Sequence, residues 1–259
     1  MEKKIAVVTG ASSGMGREFV RQLDAAETFD EIWAVARREK NLAELQGGLR
    51  AQLRPLAMDL TEAGAGETYA ALLEAEQPDV AVLVNAAGFG VFGAFEERDL
   101  ENQLNMIRLN DEALVRMTAL TLPYMGRGAR VYQMGSLSSF QPVPYIGVYG
   151  ASKAFVLSYS RALNSELRPR GIRVMAVCPG WVRTEFFDRA VSDDTIIYYD
   201  RWYTPEQVVT RALRDMGRGK DVSVCGFPVR AQVLLVKLLP HKLVMRIWCR
   251  QQKQPRETK

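Results

Sequence analysis

Seven short apolar runs punctuate the chain, at residues 5–9, 31–36, 54–58, 80–84, 130–134, 173–178 and 221–225. The segments between them are longer and carry apolar residues at helical spacing. Phe19, Val20 and Leu23 mark one such segment, Leu109, Ala113, Val115, Leu120 and Leu122 another, and Ala154, Leu157, Ala162, Leu163 and Leu167 a third. Strand and helix in alternation imply βα crossovers and a parallel sheet whose two faces are both covered by helices. The expected fold is therefore α/β, a single Rossmann-type doubly wound parallel sheet, spanning residues 1–226. Residues 227–259 are expected to form an amphipathic helical extension of the same domain, divided into two helical pieces by Pro240.

Composition narrows the function. With 259 residues, 47% of them apolar, the chain can bury one large core, whereas two domains would leave two small ones. No uncharged apolar run reaches the ~18 residues of a membrane span, and Met1-Glu2-Lys3-Lys4 leads straight into a short strand rather than a secretory leader, so the cytoplasm is expected. Cys178, Cys225 and Cys249 are odd in number and form no CxxC pair, which fits a reducing compartment and no metal site. The single histidine, His241, sits beside Pro240 at a helix start or on the surface. A Ser-His-Asp triad, a histidine general base and a histidine-rich zinc site are thereby excluded. The net charge of +4 is too ordinary to imply nucleic acid.

The first strand ends in Thr9-Gly10-Ala11-Ser12-Ser13-Gly14-Met15-Gly16. Glycines here let the chain turn tightly and let backbone N–H groups approach a pyrophosphate, which the positive end of the following helix favours. The spacing resembles the TGxxxGxG loop of the short-chain dehydrogenase/reductase family, in particular its hydroxysteroid dehydrogenases and related ketoreductases. Asp59-Leu60 resembles the family's adenine-contacting segment, Asn85-Ala86-Ala87-Gly88 its NNAG segment with Ala86 in place of the second Asn, and Pro179-Gly180-Trp181-Val182-Arg183-Thr184 its PGxxxT stretch. The matches run to Thr184. They imply a nicotinamide dinucleotide held by Gly10, Ser12, Ser13, Gly14, Met15, Gly16, Asp59, Leu60, Asn85, Ala86, Gly88, Tyr149, Lys153, Pro179, Gly180, Val182 and Thr184.

The second strand chooses between dinucleotides. A carboxylate at its end would bind the ribose 2′-hydroxyl of NAD, whereas a 2′-phosphate needs cations. The sequence reads Ala36-Arg37-Arg38, and Ser12 adds a hydroxyl. NADP(H) is the expected cofactor.

Tyr149-Gly150-Ala151-Ser152-Lys153 places a phenol and an ammonium on one helix face at i,i+4. Alone this would be an aromatic residue above a lysine. Thirteen residues after Ser136 and downstream of the glycine loop, it resembles the family's YxxxK motif. The resemblance implies that Tyr149 exchanges the substrate proton, that Lys153 assists it and holds the nicotinamide ribose, and that Ser136 hydrogen-bonds the substrate carbonyl. Asn110 resembles the family's helix-kink asparagine, whose backbone carbonyl holds a relay water. Ser138 competes with Ser136, and Asn105 with Asn110. Lowering a tyrosine pKa of about 10 by roughly 3 units needs about 4 kcal/mol, and an ammonium about 4 Å away at a dielectric near 20 supplies on the order of 4 kcal/mol.

Residues 181–203 are rich in aromatic side chains and fall where the family carries its substrate loop, so a hydrophobic carbonyl or alcohol of hydroxysteroid or bile-acid type is the expected ligand, with small carbonyl compounds and acyl chains as alternatives. Gly219-Lys220 is not a P-loop, since Arg214 and Asp221 break the pattern. A homodimer or homotetramer is expected. The basic, apolar extension is expected to pack on its own domain, with contact to a membrane surface the less favoured role. The competing reading is a dinucleotide-binding regulatory or scaffold protein without turnover.

Overall fold

The computed structural model describes residues 2–254; Met1 and residues 255–259, the end of the expected extension, lie outside the described residues. The strands are β1 (Lys4–Thr9), β2 (Glu31–Ala36), β3 (Gln52–Ala57), β4 (Asp79–Asn85), β5 (Arg130–Met134), β6 (Arg173–Val177), the short pair β7 (Trp181–Val182) and β8 (Trp202–Tyr203), and β9 (Val222–Ser223). Among the described residues seven of them form one sheet in the order β3-β2-β1-β4-β5-β6-β9, with every neighbouring pair parallel. The helices are α1 (Gly14–Ala26), α2 (Glu39–Ala43), α3 (Ala65–Glu76), α4 (Leu100–Ile107), α5 (Ala113–Thr121), α6 (Gly147–Leu167), α7 (Phe186–Ala190), α8 (Pro205–Gly217), α9 (Phe227–Leu238) and α10 (His241–Gln251).

Successive strand residues serve opposite cores. Ala6 and Val8 of β1 pack with Phe19, Val20 and Leu23 of α1 and with Val208, Val209 and Ala212 of α8. Ile5 and Val7 pack with Tyr69 and Leu73 of α3, Met117 of α5 and Leu163 and Leu167 of α6. Both faces of the strand are dry, which is why its sequence reads as a continuous apolar run. The strand order reverses between β1 and β4, and a crevice opens there at the carboxyl ends of the strands, where ligands bind in open α/β sheets.

Three details depart from the sequence reading. β3 starts two residues earlier than expected and keeps Pro55 opposite Ala34, tolerable because β3 is an edge strand and a missing N–H there leaves no ladder bond broken. β9 shrinks to two residues, because Gly226 at φ +85° turns the chain out of the sheet into α9. The buried stripe of α6 is Ser152, Lys153, Val156, Ser160, Leu163 and Leu167, while Ala154 and Ala162 face outward. Its upper turns look into the crevice, where polar side chains replace apolar ones.

Candidate active site

At the mouth of β1 two glycines are required by geometry. Gly10 has φ +66°, and a Cβ on it would lie 2.8 Å from the Ala86 carbonyl; a Cβ on Gly16 would collide with the Gly10 carbonyl oxygen. Strand, turn and helix can therefore close on one another only with bare backbone. The resulting cavity of about 300 Å³ is lined by Gly10, Ser12, Ser13, Gly14, Met15 and Gly16, by Arg37, Arg38, Asp59 and Leu60, and by Ala86, Gly88 and Thr184.

Guanidinium groups edge this cavity. Arg38 donates to Ser13 Oγ at 2.8 Å and Ser12 Oγ at 3.2 Å and pairs with Glu185 at 2.8 Å. Arg37 pairs with Asp59 at 3.4 Å. Burial works against the Asp59 carboxylate, yet hydrogen bonds from Thr61 and the Arg37 charge hold it below the usual carboxylate range. A third cation, Arg189 of α7, lies 3.5 Å from the centre of the Phe89 ring, and burial together with repulsion from Arg37 pulls its pKa down.

A second cavity of about 380 Å³ adjoins the first, and Met15, Ala86, Gly88, Thr184 and Phe186 line both. Ser136, Tyr149, Lys153, Pro179, Gly180 and Val182 line this second cavity. Its wall is otherwise mostly apolar, with Phe92, Val143, Ile146, Trp181 and Phe187 from the body and Leu235, Val236, Leu239, Val244, Ile247 and Trp248 from the extension. The Tyr149 ring packs at 5.5 Å from Phe186 and 5.8 Å from Phe92.

Burial pushes the Tyr149 phenol up to about 12, opposed by a hydrogen bond with Ser136. The Lys153 ammonium donates to the Met134 carbonyl at 2.9 Å and is pulled down to about 8 by burial, with Asp111 opposing. Desolvation is the largest influence on each group. Of the two candidate serines, Ser136 bonds the phenol, while Ser138 lines the same cavity with a buried Oγ that has no hydrogen-bond partner. Ser139 clamps this segment to α6, accepting from Ser136 N at 3.1 Å and donating to the Lys153 carbonyl at 2.7 Å.

Asn110 is fully buried in a π-turn, Arg108–Glu112, between α4 and α5. Its side chain accepts from Phe89 N and donates to Phe89 O, both at 3.0 Å, and reaches Ser152 Oγ at 3.1 Å. A Cβ on Gly88 would stand 2.8 Å from Asn110 Oδ1 and 3.5 Å from Lys153 Nζ, so Gly88 lets these groups converge. Asn105, the alternative, bonds exposed Arg108. Asn85 lines neither cavity, and its side chain donates to Thr118 Oγ1 at 3.0 Å and Gln133 Oε1 at 2.9 Å inside the core. Its motif position is retained, but its amide cross-links β4, β5 and α5.

Sequence reasoning missed three residues that the structure places at or behind the two cavities. Arg189 had no signal, being one arginine in an aromatic loop. Asp111 adjoins Asn110; its carboxyl is pushed up to about 6 by burial, against the pull of Lys153, and its Oδ1 is buried without a hydrogen-bond partner. Gln252, fully buried, accepts from Ile197 N and Tyr198 N, each at 2.9 Å, and so stitches the extension to the 181–203 loop.

Comparison with known proteins agrees with this geometry. The model of the short chain dehydrogenase family matches residues 4–195. Sulfoacetaldehyde reductase 2 of Chromohalobacter salexigens is 34% identical over 201 residues, 73% of this chain and 79% of that protein. The 3-ketodihydrosphingosine reductase of Bacteroides thetaiotaomicron is 32% identical over 199 residues, 75% of this chain and 70% of that protein. A short-chain dehydrogenase from Sphingobium yanoikuyae, solved in complex with NADPH, superposes with a TM-score of 0.77 at 28% identity, covering 99% of this chain and 98% of that one. With the glycine turn, the reversed strand order and the Ser136, Tyr149 and Lys153 cluster at one crevice, the chain belongs to the short chain dehydrogenase family of oxidoreductases.

Proposed function

We propose that the protein is an NADP-dependent oxidoreductase that interconverts an apolar ketone and its secondary alcohol, the ligand having the bulk of a hydroxysteroid, a bile acid or a long acyl chain. The observation that carries this reading is the junction of the two cavities, where an arginine-edged glycine cradle opens beside Ser136, Tyr149 and Lys153 into a chamber with apolar walls.

A dinucleotide fits the first cavity. The bare backbone at Gly10 and Gly16 leaves the close approach that a pyrophosphate needs. Arg37 and Arg38 follow Ala36 at the end of β2, where no carboxylate stands, and Arg38 already spans two serine hydroxyls; this supports a 2′-phosphate. When bound, the reduced nicotinamide supplies the hydride for the carbonyl carbon. Tyr149 delivers the proton to the carbonyl oxygen, a role suited to a phenol that burial keeps neutral. Ser136 adds a hydrogen bond as negative charge grows on that oxygen. Lys153 positions the ribose, and Asn110 with its π-turn braces the helix beside it.

In this reading residues 1–226 carry cofactor and chemistry, and the extension from 227 closes the apolar end. A homodimer or homotetramer belongs to the same reading, supported by exposed Leu100 and Ile107 on α4 and Phe155 on the adjacent α6. The relatives act, by name, on both a short polar aldehyde and a long-chain ketone; the aromatic and aliphatic walls favour the latter. The test is a panel of ketones and alcohols run with NADPH, NADH, NADP⁺ and NAD⁺. Turnover of apolar ketones with NADPH is expected, and no turnover with any carbonyl would leave the silent-scaffold reading in its place.

A further inference from the structure

The extension has two apolar faces, and only one of them is used by the protein. Val229, Val233 and Val236 of α9 and Val244 of α10 point inward and are buried. On the opposite side of α9, Phe227, Leu234 and Leu238 recur at i, i+7 and i+11, a helical stripe, with relative exposures of 75%, 62% and 74%. On α10, Leu243 and Ile247 continue an exposed apolar row at i, i+4. Large apolar side chains left this open along two neighbouring helices are costly in water and mark an interaction surface.

Charge identifies the partner. Residues 227–254 contain Arg230, Lys237, Lys242, Arg246, Arg250 and Lys253 and no aspartate or glutamate. By helical angle Arg230 and Lys237 flank the α9 stripe, and Lys242, Arg246 and Arg250 flank the α10 row. Two copies of this surface would set like charges against each other, whereas a bilayer with anionic headgroups would take both the apolar stripe and the basic flank. The patch is also continuous with the chamber: Leu235 and Ile247 are exposed and line the 380 Å³ cavity. No helix among the described residues is long and apolar enough to cross a membrane, so contact would be with the surface alone.

We propose that α9 and α10 form an interfacial anchor that lays the protein on an anionic lipid surface, with the mouth of the apolar chamber facing the bilayer. The anchor stands independently of the carbonyl chemistry, since it rests on exposure and charge outside the catalytic floor. An apolar substrate would then pass between lipid and chamber without crossing water.

Co-sedimentation of the full chain with vesicles tests this, using phosphatidylcholine alone and phosphatidylcholine mixed equally with phosphatidylglycerol. Binding to the anionic vesicles is expected, at least about tenfold stronger than to neutral ones and weakening as salt rises. The triple variant Phe227→Ser, Leu234→Ser, Leu238→Ser touches neither cavity and should lose binding at least about tenfold while keeping its circular dichroism. Lys242→Gln with Arg246→Gln should remove the preference for anionic vesicles. If the triple variant does not fold, the salt and headgroup dependence of the unaltered protein decides alone. Absent or headgroup-indifferent sedimentation overturns the proposal. So does a concentration-dependent dimer that the triple variant abolishes in a protein that ignores vesicles, which would make this face an interface between copies.

Discussion

Trp248 Nε1 donates to the carbonyl of Pro144 at 2.9 Å, joining α10 to the rim of the chamber across 104 residues of sequence. The same indole stacks on Trp181, centroids 6.4 Å apart and planes 24° from parallel. Pro144 precedes α6, which carries Tyr149, so this contact couples the extension to the wall of the second cavity.

Trp248→Ala should therefore raise KM for bulky ketones far more than for small ones. Removing about 100 Å² of apolar contact at ~25 cal/mol per Å² is worth roughly 2.5 kcal/mol, somewhat under a hundredfold in specificity. The ratio of kcat/KM for a steroid-sized ketone to that for a four-carbon ketone is the measurement. An unchanged ratio would mean that the extension does not meet the substrate.

Tyr149→Phe keeps the ring packed between Phe92 and Phe186 and removes only the hydroxyl. Turnover is expected to fall at least about a hundredfold, the low end for general acid catalysis, with cofactor affinity retained in a fluorescence titration. Near-normal turnover would send the search for the proton donor elsewhere, first to the unpartnered hydroxyl of Ser138.

Arg37→Asp puts a second carboxylate beside Asp59 and should move preference from NADP towards NAD. A charge-assisted hydrogen bond to phosphate is worth about 1.5–3 kcal/mol, so a tenfold to hundredfold change in the ratio of kcat/KM values is expected. Equal loss with both cofactors would assign Arg37 a structural task, with Arg38 and Arg189 left as the phosphate ligands.

Asp111 gives a pH signature. Its folded pKa is raised to about 6 from an ordinary 3.8, so the folded state binds the extra proton between those values and stability falls as pH rises through that window. Asp111→Asn should thus gain melting temperature over the unaltered protein at pH 7.5 and gain little at pH 3.5. The lost negative charge should also let Lys153 fall further below its pKa of about 8, moving any limb of the rate profile governed by Lys153 to lower pH. Identical melting differences at both pH values would show that burial does not raise the Asp111 pKa above its unfolded value.

Most of the fold and much of the site could be read from one dimension. Runs such as 5–9 are apolar throughout because both faces of the strand are dry, and βα alternation leaves few ways to cover them. Gly10, Gly14 and Gly16 were legible because a tight turn tolerates no Cβ, and Tyr149 and Lys153 because four residues of helix bring two side chains to one face. These are local constraints, written within a few residues. What required the tertiary structure depends on partners far away in sequence. Asn85 sits in the expected motif but spends its amide on Thr118 and Gln133. Phe92 and Phe186, from separate segments, pack on the Tyr149 ring, and burial raises its pKa. Arg189 reaches the first cavity only because α7 folds over Phe89, and the outward stripe of α9 became distinct from the inward one only once the sheet defined which side was in. Periodicity reports that a helix has an apolar face; desolvation and packing against distant segments decide which face is buried and what the other is free to meet.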